Sequence, residues 1–264
     1  MSGKVVIVTG ANSGIGRCTA KALSDAGCIV YDFSRRDITA DNIKHIRVDV
    51  TDENNVISAV KEVYEAEGRI DIVINCAGFG ISGAVEFTAL EDAKSQFDVN
   101  FFGTVNMNKA VIPFMRKAGE GRIVNISSVA AVAHIPFQTF YSASKAAIES
   151  YTSALANEVS PFGITVTAIQ PGDICTEFTQ ARKKTFDGDD VYGGRISKSV
   201  AGMERDEQKG MKAETAGEYI TKISLKKTVK PAYAIGLNYK LVCVLCKIFP
   251  GNIRNRIIGM LYAK

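Results

Sequence analysis

The chain has 264 residues, 46% of them apolar and 23% charged, enough to fold one large α/β domain around a sheet buried on both faces. Its net charge of +4 is unevenly spread: residues 226–264 carry eight Lys/Arg and no Asp or Glu, which leaves residues 1–225 with 28 acidic and 24 basic side chains, a net of −4. No apolar run approaches the roughly 18–20 residues of a spanning helix, and residues 1–5 enter a strand pattern without a secretory signal's charged and apolar regions. The expectation is a soluble, cytoplasmic protein. The basic stretch is too apolar, and too free of recognised motifs, to suggest nucleic-acid binding.

Apolar runs alternate with helical patterns in chain order. Residues 5–8 read as a strand, followed by a glycine-rich turn and a helix over 17–26. Residues 28–33 and 43–48 read as the second and third strands. Residues 52–67 place Val56, Ala59, Val60 and Val63 on one face, a helix closed by Gly68. Residues 70–75 are a fourth strand, rich in Ile and Val. A long helical segment over 90–118, with Pro113 near its end, precedes a fifth strand over 122–127, a helix over 140–159 and a sixth strand over 164–170. This order predicts a single-domain, doubly wound parallel sheet of Rossmann type with helices on both faces.

Two regions break the rhythm. Residues 173–210 are polar and follow directly on the C-terminal end of the sixth strand, where ligands of open α/β sheets bind, so they are expected to form a substrate lid. The stretch 238–264 is apolar and basic. Cys243 and Cys246 form a C-x-x-C there, yet His45 and His134 are the chain's only histidines and neither is near it, so the pair reads as part of an apolar helix. No metal site is expected. Cys18, Cys28, Cys76 and Cys175 are scattered through the predicted elements, as buried thiols of a reducing compartment are.

Thr9-Gly10-Ala11-Asn12-Ser13-Gly14-Ile15-Gly16 lies between the first strand and the first helix. Glycines there allow a sharp turn and bring backbone N–H groups against a pyrophosphate at a helix N-terminus. The spacing T-G-x-x-x-G-I-G resembles the fingerprint of the short-chain dehydrogenase/reductase family. The resemblance continues through Asp49-Val50, similar to the pair that brackets an adenine ring, and Asn75-Cys76-Ala77-Gly78, similar to the family's N-x-A-G. Asn100, Ser128, Tyr141 and Lys145 match its catalytic tetrad in order and spacing. Pro171-Gly172, with Ile174 and Thr176 after it, resembles the segment that closes over the nicotinamide.

That resemblance implies a nicotinamide cofactor. An acid at the end of the second strand would bond a free ribose 2′-hydroxyl, and a basic residue would bind a 2′-phosphate. Ser34 stands where the family's NAD-selecting acid falls, with Arg35 and Arg36 after it, which favours NADP(H). Asp32, two residues earlier, keeps NAD(H) as the alternative.

Tyr141 and Lys145 are four apart in a helical pattern and share a face. An ammonium beside a phenol lowers its pKa from near 10, so Tyr141 is expected to exchange a proton with the substrate oxygen. The resemblance implies that Ser128 donates to that oxygen, that Lys145 also bonds the nicotinamide ribose, and that Asn100 holds a water against the lysine. Taken singly, each of these residues fits a structural role; together they specify an oxidoreductase. A nucleotide-binding module with incidental catalysis is the alternative of another class.

Residues 129–138 are predominantly apolar and follow Ser128, which favours an apolar substrate. The leading expectation is interconversion of a secondary alcohol and a ketone on a bulky, hydroxysteroid-like molecule, with a 3-oxoacyl or other lipid-like carbonyl as the alternative. Near the chain's end, Leu241, Val244, Leu245 and Ile248 fall together on one helical pattern, and Ile253, Ile257 and Leu261 on a second. Such helices can cover the substrate pocket, join subunits of a homodimer or homotetramer, or make a peripheral contact with an anionic membrane.

Overall fold

A computed structural model describes residues 3–37 and 42–263. Seven parallel strands form its sheet: β1 (Val5–Thr9), β2 (Ile29–Ser34), β3 (Ile43–Arg47), β4 (Ile72–Asn75), β5 (Gly121–Ile126), β6 (Ile164–Gln170) and β7 (Ala232–Ala234). Their order is β7-β6-β5-β4-β1-β2-β3. The order reverses between β1, which leads outward to β2, and β4, which pairs with the other side of β1. That reversal opens a crevice beyond the strands' C-terminal ends.

The alternation along β1 assigns its two faces. Val5 and Ile7 pack with Val56 and Val60 of α2 (Glu53–Glu67), Met107 and Met115 of α4 (Gly103–Ala118), and Leu155 of α5 (Thr139–Val159). Val6 and Val8 pack with Ala20 and Leu23 of α1 (Gly14–Asp25) and with Ala216 and Ile220 of α7 (Ala213–Ser224). Both faces are buried, hence the near-continuous Val/Ile runs of β1 and β4. α2 starts where Asp52 accepts from the N–H groups of Asn54 and Asn55 at 3.0 and 3.1 Å, and stops at Gly68 with φ of 71°.

Three features differ from the sequence expectation. α1 begins at Gly14, three residues earlier than predicted, so the glycine loop runs directly into its first turn. The long helix after β4 is α3 (Leu90–Phe97) and α4, joined by a π-helical turn over Asp98–Phe102 that contains Asn100. β7 was not foreseen; it is three residues long and lacks a pattern of its own.

The segment over 173–210 folds against the body at two places. Ile174–Cys175 pairs with Met211–Lys212, and Lys183–Lys184 pairs with Ile81–Ser82 beyond β4. Between them lies α6 (Arg195–Gln208), whose Ile196, Val200 and Met203 pack against Ala84 and Phe137. The chain closes with α8 (Leu237–Ile248) and α9 (Gly251–Tyr262). Among the described residues, no helix is long and apolar enough to cross a membrane.

Candidate active site

A cleft of about 1510 Å³ occupies the crevice. The glycine loop forms its floor at the nucleotide end. Thr9 Oγ1 accepts from the N–H groups of Cys76 and Ala77, both at 3.0 Å, tying the end of β1 to the turn after β4. This tie brings Gly10 so close to Ala77 that a Cβ at Gly10 would stand 3.0 Å from the Ala77 Cα. A Cβ at Gly16 would run into the Gly10 carbonyl. Only glycines fit at these crossings. Asn12, Ser13, Gly14 and Ile15 complete the loop's part of the cleft wall.

A carboxylate sits at the N-terminus of α1. Glu177 accepts from the Gly14 N–H at 3.1 Å and from Arg17 at 3.0 Å. Hydrogen bonding to its own backbone, aided by the Arg17 charge and the Gly14 N–H against the cost of desolvation, holds Glu177 below the usual carboxylate range. The end of this helix therefore binds an anion already, and the same donors suit a pyrophosphate. The glycine cradle and the anion-binding N–H of Gly14 fit a dinucleotide cofactor.

Ser34, Arg35 and Arg36 line the adenosine end, with Asp49 and Val50 opposite. Asp32 takes no part in the cleft. It is fully buried, accepting from the Ala11 N–H at 2.9 Å and the Ser34 hydroxyl at 2.5 Å, with His45 Nδ1 2.7 Å away. Its oxygens are committed to holding the loop. Arg47, at the end of β3, adds a third exposed guanidinium to this rim; with no motif around it, only the adjacency of β3 to β2 could have pointed to it. Desolvation opposes ionisation of Asp49, but two hydrogen bonds from Thr51 and the nearby Arg35 outweigh it and keep its pKa lowered.

Ala77, Gly78, Pro171, Gly172, Ile174 and Thr176 line the middle of the cleft. Asn75 does not, contrary to its expected place among the cofactor-binding residues. Its side chain turns into the sheet, donating to Asn108 Oδ1 at 2.7 Å and Asn125 Oδ1 at 2.8 Å. A buried amide needs partners, and Asn108 on α4 and Asn125 on β5 supply them beneath the floor.

Ser128, Tyr141 and Lys145 meet at the far end. Ser128 ends the loop from β5, and its Oγ accepts from the Ala130 N–H at 3.1 Å. Ser127, its rival by composition, donates instead to the Lys145 carbonyl at 3.2 Å. Lys145 Nζ donates to the Ile126 carbonyl at 2.8 Å and lies 5.8 Å from the centre of the Tyr141 ring. Asn100 does not reach the cleft. Its amide accepts from the Phe79 N–H at 3.0 Å and donates to the Phe79 carbonyl at 3.1 Å and to Ser144 at 3.2 Å. It clamps the turn after β4 behind Gly78, next to Lys145, and is placed as a positioning residue.

The electrostatics correct one expectation. Burial pushes the Tyr141 phenol up to about 12, against the hydrogen bond from Ser128 and the charge of Arg182. Burial pushes the Lys145 ammonium down to about 8. Desolvation outweighs the groups that lower the phenol's pKa, so it stays above 10. A phenol so buried stays protonated across the physiological range, which suits a proton donor. Once it has donated, the phenolate depends on the Lys145 charge. A step in which Tyr141 gives up its proton should therefore decline with rising pH along a one-proton limb with its midpoint near 8, as Lys145 loses its charge. Lys145→Arg, whose guanidinium stays charged, should move that limb upward in a profile of kcat/KM against pH; an unmoved limb would assign it to another group.

Beyond Tyr141 lies a substrate chamber. Val129, Ala130, Ala133 and Ile135 form one wall, while His134 is exposed and outside it. The segment over 173–210 contributes Phe178, whose ring centre is 5.7 Å from that of Tyr141, and Glu207, held by the buried Arg182. Asp173 accepts from the Tyr239 hydroxyl, and burial raises its pKa. Val242, Leu245 and Phe249 of α8 and its end, and Ile257 and Leu261 of α9, close the remaining side. Sequence periodicity indicated these helices and offered cover of the pocket as one of three placements; their packing brings them to the chamber.

A short-chain dehydrogenase family model matches residues 4–187. The chain is 41% identical to a 3-ketodihydrosphingosine reductase of Bacteroides thetaiotaomicron, over 100% of this chain and 99% of the relative. A crystal structure of a short-chain dehydrogenase from Streptomyces avermitilis superposes with a TM-score of 0.84 at 29% identity, covering 97% of this chain and 95% of that one. ElxO, solved with NADP bound, superposes with a TM-score of 0.77 at 26% identity, covering 91% of this chain and 100% of that one. This chain belongs to the short-chain dehydrogenase family of NAD(P)(H)-dependent oxidoreductases.

Proposed function

We propose that the chain is an NADPH-dependent reductase of a ketone on a long-chain amino-lipid, a 3-ketosphingoid base. The observation that carries this reading is the likeness to the Bacteroides reductase along the whole chain, including α8 and α9, which wall the chamber. It favours the lipid-like carbonyl over the hydroxysteroid-like substrate that apolar composition alone suggested. A 3-ketosphingoid base carries an amine and a hydroxyl beside its ketone and a long alkyl chain behind it. Asp173 and Glu207 suit the polar end, and the walls from α8 and α9 suit the alkyl chain.

A reduced nicotinamide, when bound along the glycine loop and the middle of the cleft, would be the source of hydride for the carbonyl carbon. Ser128 holds the carbonyl oxygen with its hydroxyl, and Tyr141 transfers its phenolic proton to that oxygen, yielding a secondary alcohol and a phenolate. Lys145 stabilises the phenolate until solvent returns the proton. The gathering of these three groups in one cleft speaks against a module that only binds nucleotide. A homodimer or homotetramer and a reducing, cytoplasmic setting for its free thiols complete the reading.

Arg35, Arg36 and Arg47 favour NADPH, as does the occupation of Asp32 elsewhere. Arg35→Ala should raise the KM for NADPH roughly 10- to 100-fold, the worth of one charge-assisted phosphate contact, with NADH little affected. Turnover of 3-ketodihydrosphingosine, a 3-oxosteroid and a 3-oxoacyl thioester, followed by nicotinamide absorbance, tests the substrate. The sphingoid base should give the highest kcat/KM by tenfold or more on the affinity scale of its apolar chain. Preference for the steroid or the thioester would overturn the assignment.

A further inference from the structure

The C-terminal helices turn their apolar stripes outward. On α8 the inward residues are Cys243 and Cys246, and the C-x-x-C pair is core packing. Leu237, Leu241, Val244 and Ile248 recur at helical spacing on the opposite side, exposed by 83, 59, 51 and 69%. Ile253, Ile257, Met260 and Leu261 of α9 are exposed as well. Scattered exposed apolar residues need no explanation, but a contiguous set on two successive helices marks a binding surface.

Charge identifies what it binds. Exposed Lys240 and Lys247 flank the α8 stripe, and Arg256 lies on α9. No acidic residue occurs between 226 and 264, while residues 1–225 have a net charge of −4. Pairing two copies of this face about a two-fold axis would set lysines against lysines with no carboxylate between them. An anionic lipid surface meets both requirements, taking the apolar side chains below its headgroups and the lysines among them.

We infer that α8 and α9 dock the protein on an anionic membrane, with the mouth of the substrate chamber facing the lipid. Phe249, Ile257 and Leu261 belong both to the exposed stripe and to the chamber wall, so one apolar surface runs from the bilayer side toward Tyr141. Docking stands independently of the substrate proposed above; the entry of a lipid substrate from the membrane rests on that reading.

Cosedimentation of the full chain with vesicles of 30:70 phosphatidylglycerol:phosphatidylcholine tests docking, with pure phosphatidylcholine as the comparison. Binding should occur on the anionic vesicles and weaken with added salt. Leu241→Glu/Ile248→Glu should abolish it, and Lys240→Gln/Lys247→Gln should reduce the partition coefficient roughly 10- to 30-fold, on the scale of about 1 kcal/mol per basic residue. None of these four side chains lines the chamber, so reduction of a water-soluble ketone should persist in both variants and report intact folding. Absence of sedimentation by the wild type, or sedimentation unaffected by Leu241→Glu/Ile248→Glu, would overturn the inference. So would dissociation of an oligomer by that variant with vesicle binding retained, since the face would then join copies of the chain. Loss of sphingoid-base turnover with vesicle binding intact would instead count against the substrate.

Discussion

Tyr141→Phe is expected to lower kcat for ketone reduction by roughly 10²- to 10⁴-fold, the range of a positioned general acid, with nucleotide affinity unchanged. The substitution removes one oxygen and leaves the ring against Phe178, so the wall of the chamber keeps its shape. What is lost is the phenolic proton that stands beside Ser128 in the cleft and is held at neutral pH. Ser128 can still polarise the carbonyl, but its hydroxyl is a far weaker acid. Lys145, lowered to about 8 and bonded to the Ile126 carbonyl, stands too far back to replace the phenol. Steady-state turnover together with titration calorimetry with NADPH separates the two effects. Full turnover by the variant would require a different acid, and the reading of this end of the cleft would be wrong.

The chemistry of that end was legible in the sequence through local spacing and through the family resemblance that singles out Ser128. Tyr141 and Lys145 share a helix face at any position of the helix, and the glycine loop turns where β1 ends whatever surrounds it. The continuous apolar run of Val5 to Val8 likewise reads as a strand without knowledge of its packing. What escaped was direction. An asparagine at the end of β4 can point into the crevice or into the sheet, and Asn75 turns inward because Asn108 and Asn125 wait there, 33 and 50 residues away. The sign of the Tyr141 shift escaped for a similar reason. A lysine one turn away suggests a lowered pKa, but desolvation of the phenol, packed beside Phe178, raises it. The stripe expected on α8 holds for Leu241, Val244 and Ile248 but not for Leu245, which lines the chamber, because periodicity does not say which side of a helix meets the protein. The small cysteines took the inner side of α8, and its larger aliphatic residues were left outside.

Gly16→Ala is expected to weaken NADPH and NADH equally, and by roughly 5- to 150-fold, the equivalent of the 1–3 kcal/mol that overpacking costs at a tight site. The added methyl meets the Gly10 carbonyl, a backbone atom that cannot rotate away as a side chain would. Gly10 cannot retreat either, because its own Cα is pressed toward Ala77 and Thr9 holds the neighbouring N–H groups. The strain must therefore spread into the loop that faces the pyrophosphate or into the first turn of α1. Equal loss for both nucleotides separates this effect from Arg35→Ala, where only the 2′-phosphate is at stake. Titration calorimetry with each nucleotide makes the comparison, and circular dichroism shows whether α1 is kept. Wild-type affinity in Gly16→Ala would mean that the loop yields at no cost, and the crossing of Gly10 and Gly16 could not then be what shapes the dinucleotide site.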